Sequence, residues 1–116
     1  DWQQTAPRND LHARYWTTDY PTVALMPMAA LVEAVDDLDF AEVDIPALFS
    51  YSPKDQVVVA EKIAEFAIEW GGPHKSIMAD LQASDDVYAH IIAGDIVSPA
   101  QTQIAVDEML AWIRAL

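Results

Sequence analysis

One stretch constrains the fold more than any other. Ile45, Ala47, Leu48, Phe49 and Tyr51 form a short apolar run, opened by Asp44-Ile45-Pro46 and closed by Ser52-Pro53-Lys54-Asp55. A buried strand ending in a tight turn has this form. A helical pattern over 57–70 follows, then Gly71-Gly72-Pro73, then a second short apolar segment around Ile77, Met78 and Ala79. Strand, helix, strand in that order is a βαβ unit, whose two strands run parallel and whose crossover is nearly always right-handed. The predicted strands, 44–51 and 75–81, therefore finish on the same edge of one sheet. Asp55 lies just past the end of the first and His90 in the loop past the second. That edge is where open α/β sheets place their chemistry.

The flanking segments fit this frame. Val59, Ile63, Phe66, Ala67 and Trp70 share one face of the crossover helix while Glu61, Glu65 and Glu69 share another, as expected of a helix lying on a sheet. Gly71 and Gly72 are placed to take a left-handed cap, and Pro73 cannot continue the helix. Upstream, Met28, Leu31, Val32 and Val35 recur at helical spacing over 22–37, with Pro27 either at the start of that helix or at a kink. Residues 82–98 are polar and irregular. A final helix over 99–115 has Ser98 as its expected cap and Pro99 as its first residue, with Val106, Met109, Leu110 and Ile113 on the side expected to pack on the sheet. Residues 1–21 have no clean period, and their Tyr15, Trp16 and Tyr20 need something to cover them.

Composition narrows the function. The chain has 116 residues, one domain's length, and 53% of them are apolar, which is a globular balance. Nineteen acids against 6 basic residues give a net charge of −13, which argues against a nucleic-acid partner because phosphate binding rests on Lys and Arg. Cysteine is absent, so disulfides and thiolate metal ligands are excluded while the cellular compartment stays open. No apolar run is long enough for a transmembrane segment, and no charged-then-apolar leader is visible among the first residues. Two parallel strands are too few to be stable alone, so further strands are expected from a missing N-terminal half or from copies of the chain.

The run Ile45 to Val58, the helix and strand after it, Ala89-His90-Ile91-Ile92-Ala93-Gly94-Asp95 and the final helix through Leu116 resemble the C-terminal half of an α/β-hydrolase. Within that superfamily they are most similar to the branch of carboxylesterases and monoacylglycerol lipases. The likeness spans 44–116 and is one of order and spacing; the helix at 22–37 resembles the one that joins the family's cap region to its sheet. By that likeness 1–21 is the end of a cap-like region and 22–116 the C-terminal part of the hydrolase core. The resemblance implies that Asp55 is the acid and His90 the general base of a Ser-His-Asp triad, acting on a small ester or acylglycerol without a cofactor. A nucleophile elbow, Gly-x-Ser-x-Gly, and an oxyanion loop of the His-Gly-Gly kind are both missing from these residues. In the family both lie N-terminal to everything seen here. The chain is therefore expected to be inactive alone.

Each candidate also has a plainer reading. Asp55 suits a turn or helix-capping carboxylate as well as a catalytic acid. His90 suits a loop histidine with no partner as well as a base. Asp85, Asp86 and Asp95 are rival acids, the first two expected to shape the loop and Asp95 to accept backbone hydrogen bonds within it. His12 and His74 have no ligand pattern near them and read as surface or strand-edge residues, so no metal site is expected. Trp16, Tyr20, Met26 and Met28 suit either an acyl-chain pocket under a cap or simple packing. From a different functional class, the same chain reads as a non-catalytic α/β module for partner binding or assembly. A nucleotide-binding half-domain is disfavoured, since only three glycines exist and no phosphate loop follows either strand.

Overall fold

The computed structural model describes all residues from Asp1 to Leu116. The protein is mixed α/β, with four α-helices and two small sheets, of which one is parallel. It divides into two compact units, 1–39 and 40–116.

In the first unit, β1 (Trp2–Gln4) pairs antiparallel with β2 (Asp19–Pro21), and α1 (Asp10–Tyr15) fills the connection. Sequence periodicity could not reveal these elements because each is too short to repeat a pattern. Asn9 caps α1, its Oδ1 accepting the His12 N–H at 2.8 Å. His12 is a correction to the surface reading: it is buried, its Nδ1 accepts the Arg8 N–H at 3.0 Å, and its ring meets Trp16 edge-on at 5.1 Å. A 3₁₀ turn (Thr22–Ala24) then leads into α2 (Leu25–Asp36). Pro27 falls in the first turn of α2, where no intrahelical N–H is lost, so it starts the helix and does not kink it. The face formed by Met28, Leu31 and Val32 is exposed, as is Met26.

In the second unit, β3 (Ala47–Tyr51) pairs in parallel with β4 (His74–Met78), with Ala47 opposite His74 and Tyr51 opposite Met78. β3 starts later than its predicted span 44–51, and β4 ends at Met78, before the predicted limit at 81. Pro46 has no N–H to give a ladder, and Ile45 before it is exposed, so pairing opens at Ala47 with its N–H on the Pro73 carbonyl at 2.9 Å. The crossover helix α3 (Ala60–Glu69) contacts both strands and turns Ile63, Phe66 and Ala67 inward. Val59 does not join that face. It precedes the first turn and is exposed. An aromatic corner pins the far end of the helix: Phe40 packs edge-on against Phe66 at 4.9 Å and stacks on Trp70 at 6.1 Å, while Trp70 meets Phe49 of β3 at 5.6 Å. The Trp70 indole N–H donates to the Ile45 carbonyl at 2.8 Å.

The glycines after α3 serve a different purpose from the one their position suggests. Neither has a positive φ, so neither is a left-handed cap. They permit close passage of backbone instead: a Cβ on Gly71 would stand 2.0 Å from the Ala41 carbonyl oxygen, and one on Gly72 would stand 2.4 Å from that of Ile45. The last helical segment is a 3₁₀ turn (Pro99–Gln101) followed by α4 (Thr102–Ile113). Here the packing expectation is overturned. Ala105 is buried, but Val106, Met109, Leu110 and Ile113 are exposed, because a sheet of two strands is too narrow to cover that face. No helix is long and apolar enough to cross a membrane.

Because the atoms facing Gly72 are backbone and cannot rotate away, Gly72→Ala should destabilise the protein by about 2–3 kcal/mol, the upper end for single substitutions. Urea unfolding monitored by tryptophan fluorescence checks this; an unchanged midpoint would show that the two backbones separate freely.

Candidate functional site

The parallel pairing of β3 and β4 sends the chain out of the sheet twice at one edge. After Tyr51 a tight turn forms, with the Asp55 N–H on the Ser52 carbonyl at 3.2 Å and the Lys54 N–H on Ser52 Oγ at 3.2 Å. Asp55 then reaches in two directions. Its Oδ1 accepts the N–H groups of Val57 at 2.7 Å and Val58 at 3.0 Å, while Oδ2 lies 2.8 Å from His90 Nδ1. A single carboxylate holds the turn after β3 and meets an imidazole; it caps no helix, since α3 starts at Ala60 with Val59 before it.

The Asp55 side chain is only 4% exposed, whereas that of His90 is 37% exposed. Desolvation pushes the Asp55 carboxyl toward the neutral form, but it is outweighed by the hydrogen bonds from Val58, His90 and Val57 and by the charge His90 carries when protonated. The net effect holds its pKa below the ordinary carboxylate value. With the carboxylate ionised it can only accept, so the proton between the two side chains sits on Nδ1 and the neutral ring is left with a lone pair on Nε2. Nε2 makes no hydrogen bond within the protein.

The loop that carries His90 has no regular structure, yet every turn of it is fastened. The Gln56 N–H donates to the Tyr88 carbonyl at 2.9 Å, and Gln56 Nε2 to that of Val87 at 3.2 Å, which ties the turn after β3 to the loop after β4. Asp86 is buried, and its carboxylate accepts the N–H groups of Tyr88, His90 and Ile91 at 3.1, 3.1 and 2.8 Å. Asp85, also buried, accepts the N–H groups of Gln82 at 2.8 Å and Ala100 at 3.1 Å. Both therefore shape the loop, as expected of turn-forming acids. Asp95 departs from its expected part: it accepts the Thr102 hydroxyl at 2.7 Å, and Thr102 Oγ1 in turn accepts the Gly94 N–H.

Ser98 is a second departure. It occupies the position before Pro99, but its hydroxyl makes no cap bond to the helix. It faces back into the loop, accepting the Asp86 N–H at 3.1 Å and donating to the Ile91 carbonyl, while Asp85 takes the cap's place at Ala100. A Ser-Pro pair ahead of an apolar pattern reads as a cap whichever way its hydroxyl turns, so the sequence held no signal for this. His74 stands at the exposed start of β4, its Nδ1 3.1 Å from the Gly72 carbonyl. Trp16, Met26 and Met28 are exposed in the first unit, and Tyr20 is half-buried on β2. No group of three or more His, Asp or Glu side chains converges to hold a metal ion.

Several apolar side chains stand exposed on the segments that carry Asp55 and His90. Val57, Val58, Val87 and Tyr88 are all exposed, and a cavity of about 370 Å³ is lined by Pro53, Asp55 and the residues up to Glu61. No family model matches the chain, and no similar protein or solved structure was found for it.

A carboxyl whose folded pKa is depressed stabilises the fold above its unfolded value, near 3.9 for Asp, and that contribution is lost as pH falls through the lower folded value. Asp55→Asn should therefore cost stability at pH 6 and above, with the difference from wild type shrinking as the solution is acidified below about pH 4. Urea titrations of both proteins across that range measure it. A gap that stays constant down to strongly acidic solution would mean that Asp55 is not held ionised by the fold.

Proposed function

We propose that this chain carries the acid and the base of a serine hydrolase acting on carboxylic esters, of the esterase or lipase type. Asp55 would orient and charge-stabilise His90, and His90 would take the proton from a serine hydroxyl through Nε2 and return it to the leaving alcohol. The observation that carries the reading is the 2.8 Å contact between Asp55 Oδ2 and His90 Nδ1 at one sheet edge, with Nε2 unpartnered and the ring partly open to solvent. The order and spacing that resemble the C-terminal half of an α/β-hydrolase give the contact its proposed chemistry.

The nucleophile and the oxyanion donors would come from sequence other than these 116 residues. Ser52 and Ser98 are fully buried and engaged with the backbone, which disqualifies both as nucleophiles. A dyad without a nucleophile cannot form an acyl-enzyme, so the chain alone would not turn over esters. The exposed valines beside Asp55 suit an apolar acyl or alcohol group. The broad uncovered apolar faces of α2 and α4 favour a second reading, a non-catalytic α/β module that binds a partner or assembles.

In the parent enzyme, His90→Ala should lower kcat on short and medium acyl esters by about 10⁴-fold or more with the fold intact, while the 116-residue chain alone gives no turnover. Hydrolysis that survives this substitution undiminished would reject the assignment. A parent gene lacking a strand-Gly-x-Ser-x-Gly-helix ahead of these residues would favour the assembly module.

A further inference from the structure

His90 projects from a loop with no helix or strand to hold it, yet its ring must stay within hydrogen-bond reach of Asp55. Contacts of the ring do not explain this, because Asp55 is its only hydrogen-bond partner. The explanation lies in the backbone. Ala89, immediately before His90, has φ of 52°, a left-handed conformation that an L-residue with a Cβ adopts only when its surroundings enforce it. The enforcing group is next to it in space. Asp86 accepts the N–H on each side of the strained residue's outgoing peptide path, from Tyr88 at 3.1 Å with Oδ1 and from His90 at 3.1 Å and Ile91 at 2.8 Å with Oδ2, and its own carbonyl accepts the Ala89 N–H at 2.9 Å. Ser98, with no exposed surface, closes the ring of contacts: its hydroxyl accepts the Asp86 N–H and donates to the Ile91 carbonyl.

We propose that Asp86, locked in place by Ser98, is the positioning residue of the dyad, wrapping the backbone on both sides of Ala89 so that His90 presents Nδ1 to Asp55 and keeps Nε2 free. The carboxylate of Asp86 accepts backbone N–H groups, so it acts through the peptide that carries the ring. The proposal rests on the acid–base reading of Asp55 and His90, and its test separates the two. It also gives the consecutive carboxylates Asp85 and Asp86 distinct tasks, since Asp85 serves the turn at Pro99–Gln101 and Asp86 serves His90.

The ring's protonation site reports the arrangement directly. A free neutral imidazole favours the proton on Nε2, whereas a ring held against an ionised carboxylate through Nδ1 carries it there. Long-range ¹H–¹⁵N correlation spectra of the full chain in mildly alkaline solution, with the His90 signals assigned by their loss in His90→Gln, should show the Nδ1–H form in wild type and its loss in Asp55→Ala. Asp86→Asn turns one accepting oxygen into a donor facing backbone N–H groups, so it should shift His90 to the Asp55→Ala pattern while the amide signals of β3 and β4 stay in place. Ser98→Ala, the milder change, should shift it in the same direction. Retention of the Nδ1–H form in folded Asp86→Asn overturns the proposal; should that variant not fold, an unaltered ring pattern in Ser98→Ala overturns it instead. A wild-type ring without the Nδ1–H form would overturn the acid–base reading as well, whereas a wild-type Nδ1–H form that persists in folded Asp86→Asn leaves that reading standing and removes only the positioning role.

Discussion

Everything at the candidate site depends on two strands running side by side in the same direction. With Tyr51 opposite Met78, β3 and β4 stop level with one another, and the segments that leave them emerge at one edge. An antiparallel pair would have sent them to opposite ends. The crossover that makes the parallel arrangement possible is in turn constrained by close backbone passage at Gly71 and Gly72 and by the aromatic corner of Phe40, Phe49, Phe66 and Trp70. Thus the meeting of Asp55 and His90, which are far apart in sequence, follows from strand direction and from how the helix between them returns to the sheet.

Carboxylates then do locally what secondary structure does elsewhere in the molecule. Asp55, Asp85 and Asp86 each accept at least two backbone N–H groups in segments that have no ladder of their own. Hydrogen bonds to a charged group contribute about 1.5–3 kcal/mol each, against roughly 1–2 kcal/mol for holding one L-residue in the left-handed region. The three N–H bonds that Asp86 accepts oppose the strain at Ala89, so the loop keeps a conformation that alanine alone would leave. The same reasoning applies at Asp55, where accepted N–H bonds and the imidazole together overcome the desolvation of a nearly inaccessible carboxylate.

The apolar core is small for a chain of this composition. Its buried apolar members are Tyr51, Val97 and four alanines, while the long aliphatic side chains of α2 and α4 face outward. A helix face of this kind gains its stabilisation only when something covers it, and a two-stranded sheet offers little area. The uncovered faces are thus surfaces on which further strands, helices or a partner would find apolar area. The net charge of −13 acts against indiscriminate association of like copies at low ionic strength.

The sequence by itself determined the parallel pair, the crossover helix between its strands and the two loops in which Asp55 and His90 lie, because apolar runs, helical spacing and turn formers are local properties legible in residue order. It left Asp55 open between a cap and an acid, since both uses require the same residue type at the same place. Only the tertiary structure decided that one carboxylate both holds the turn after β3 and meets the His90 ring, that His12 is enclosed, that Gly71 and Gly72 stand where backbones cross, and that the Ser98 hydroxyl turns toward Asp86 and away from the helix it precedes. Those outcomes depend on which groups distant in sequence arrive beside one another. A hydrogen bond is directional and satisfied by whichever partner is nearest, and nearness across the fold is not written in any window of consecutive residues.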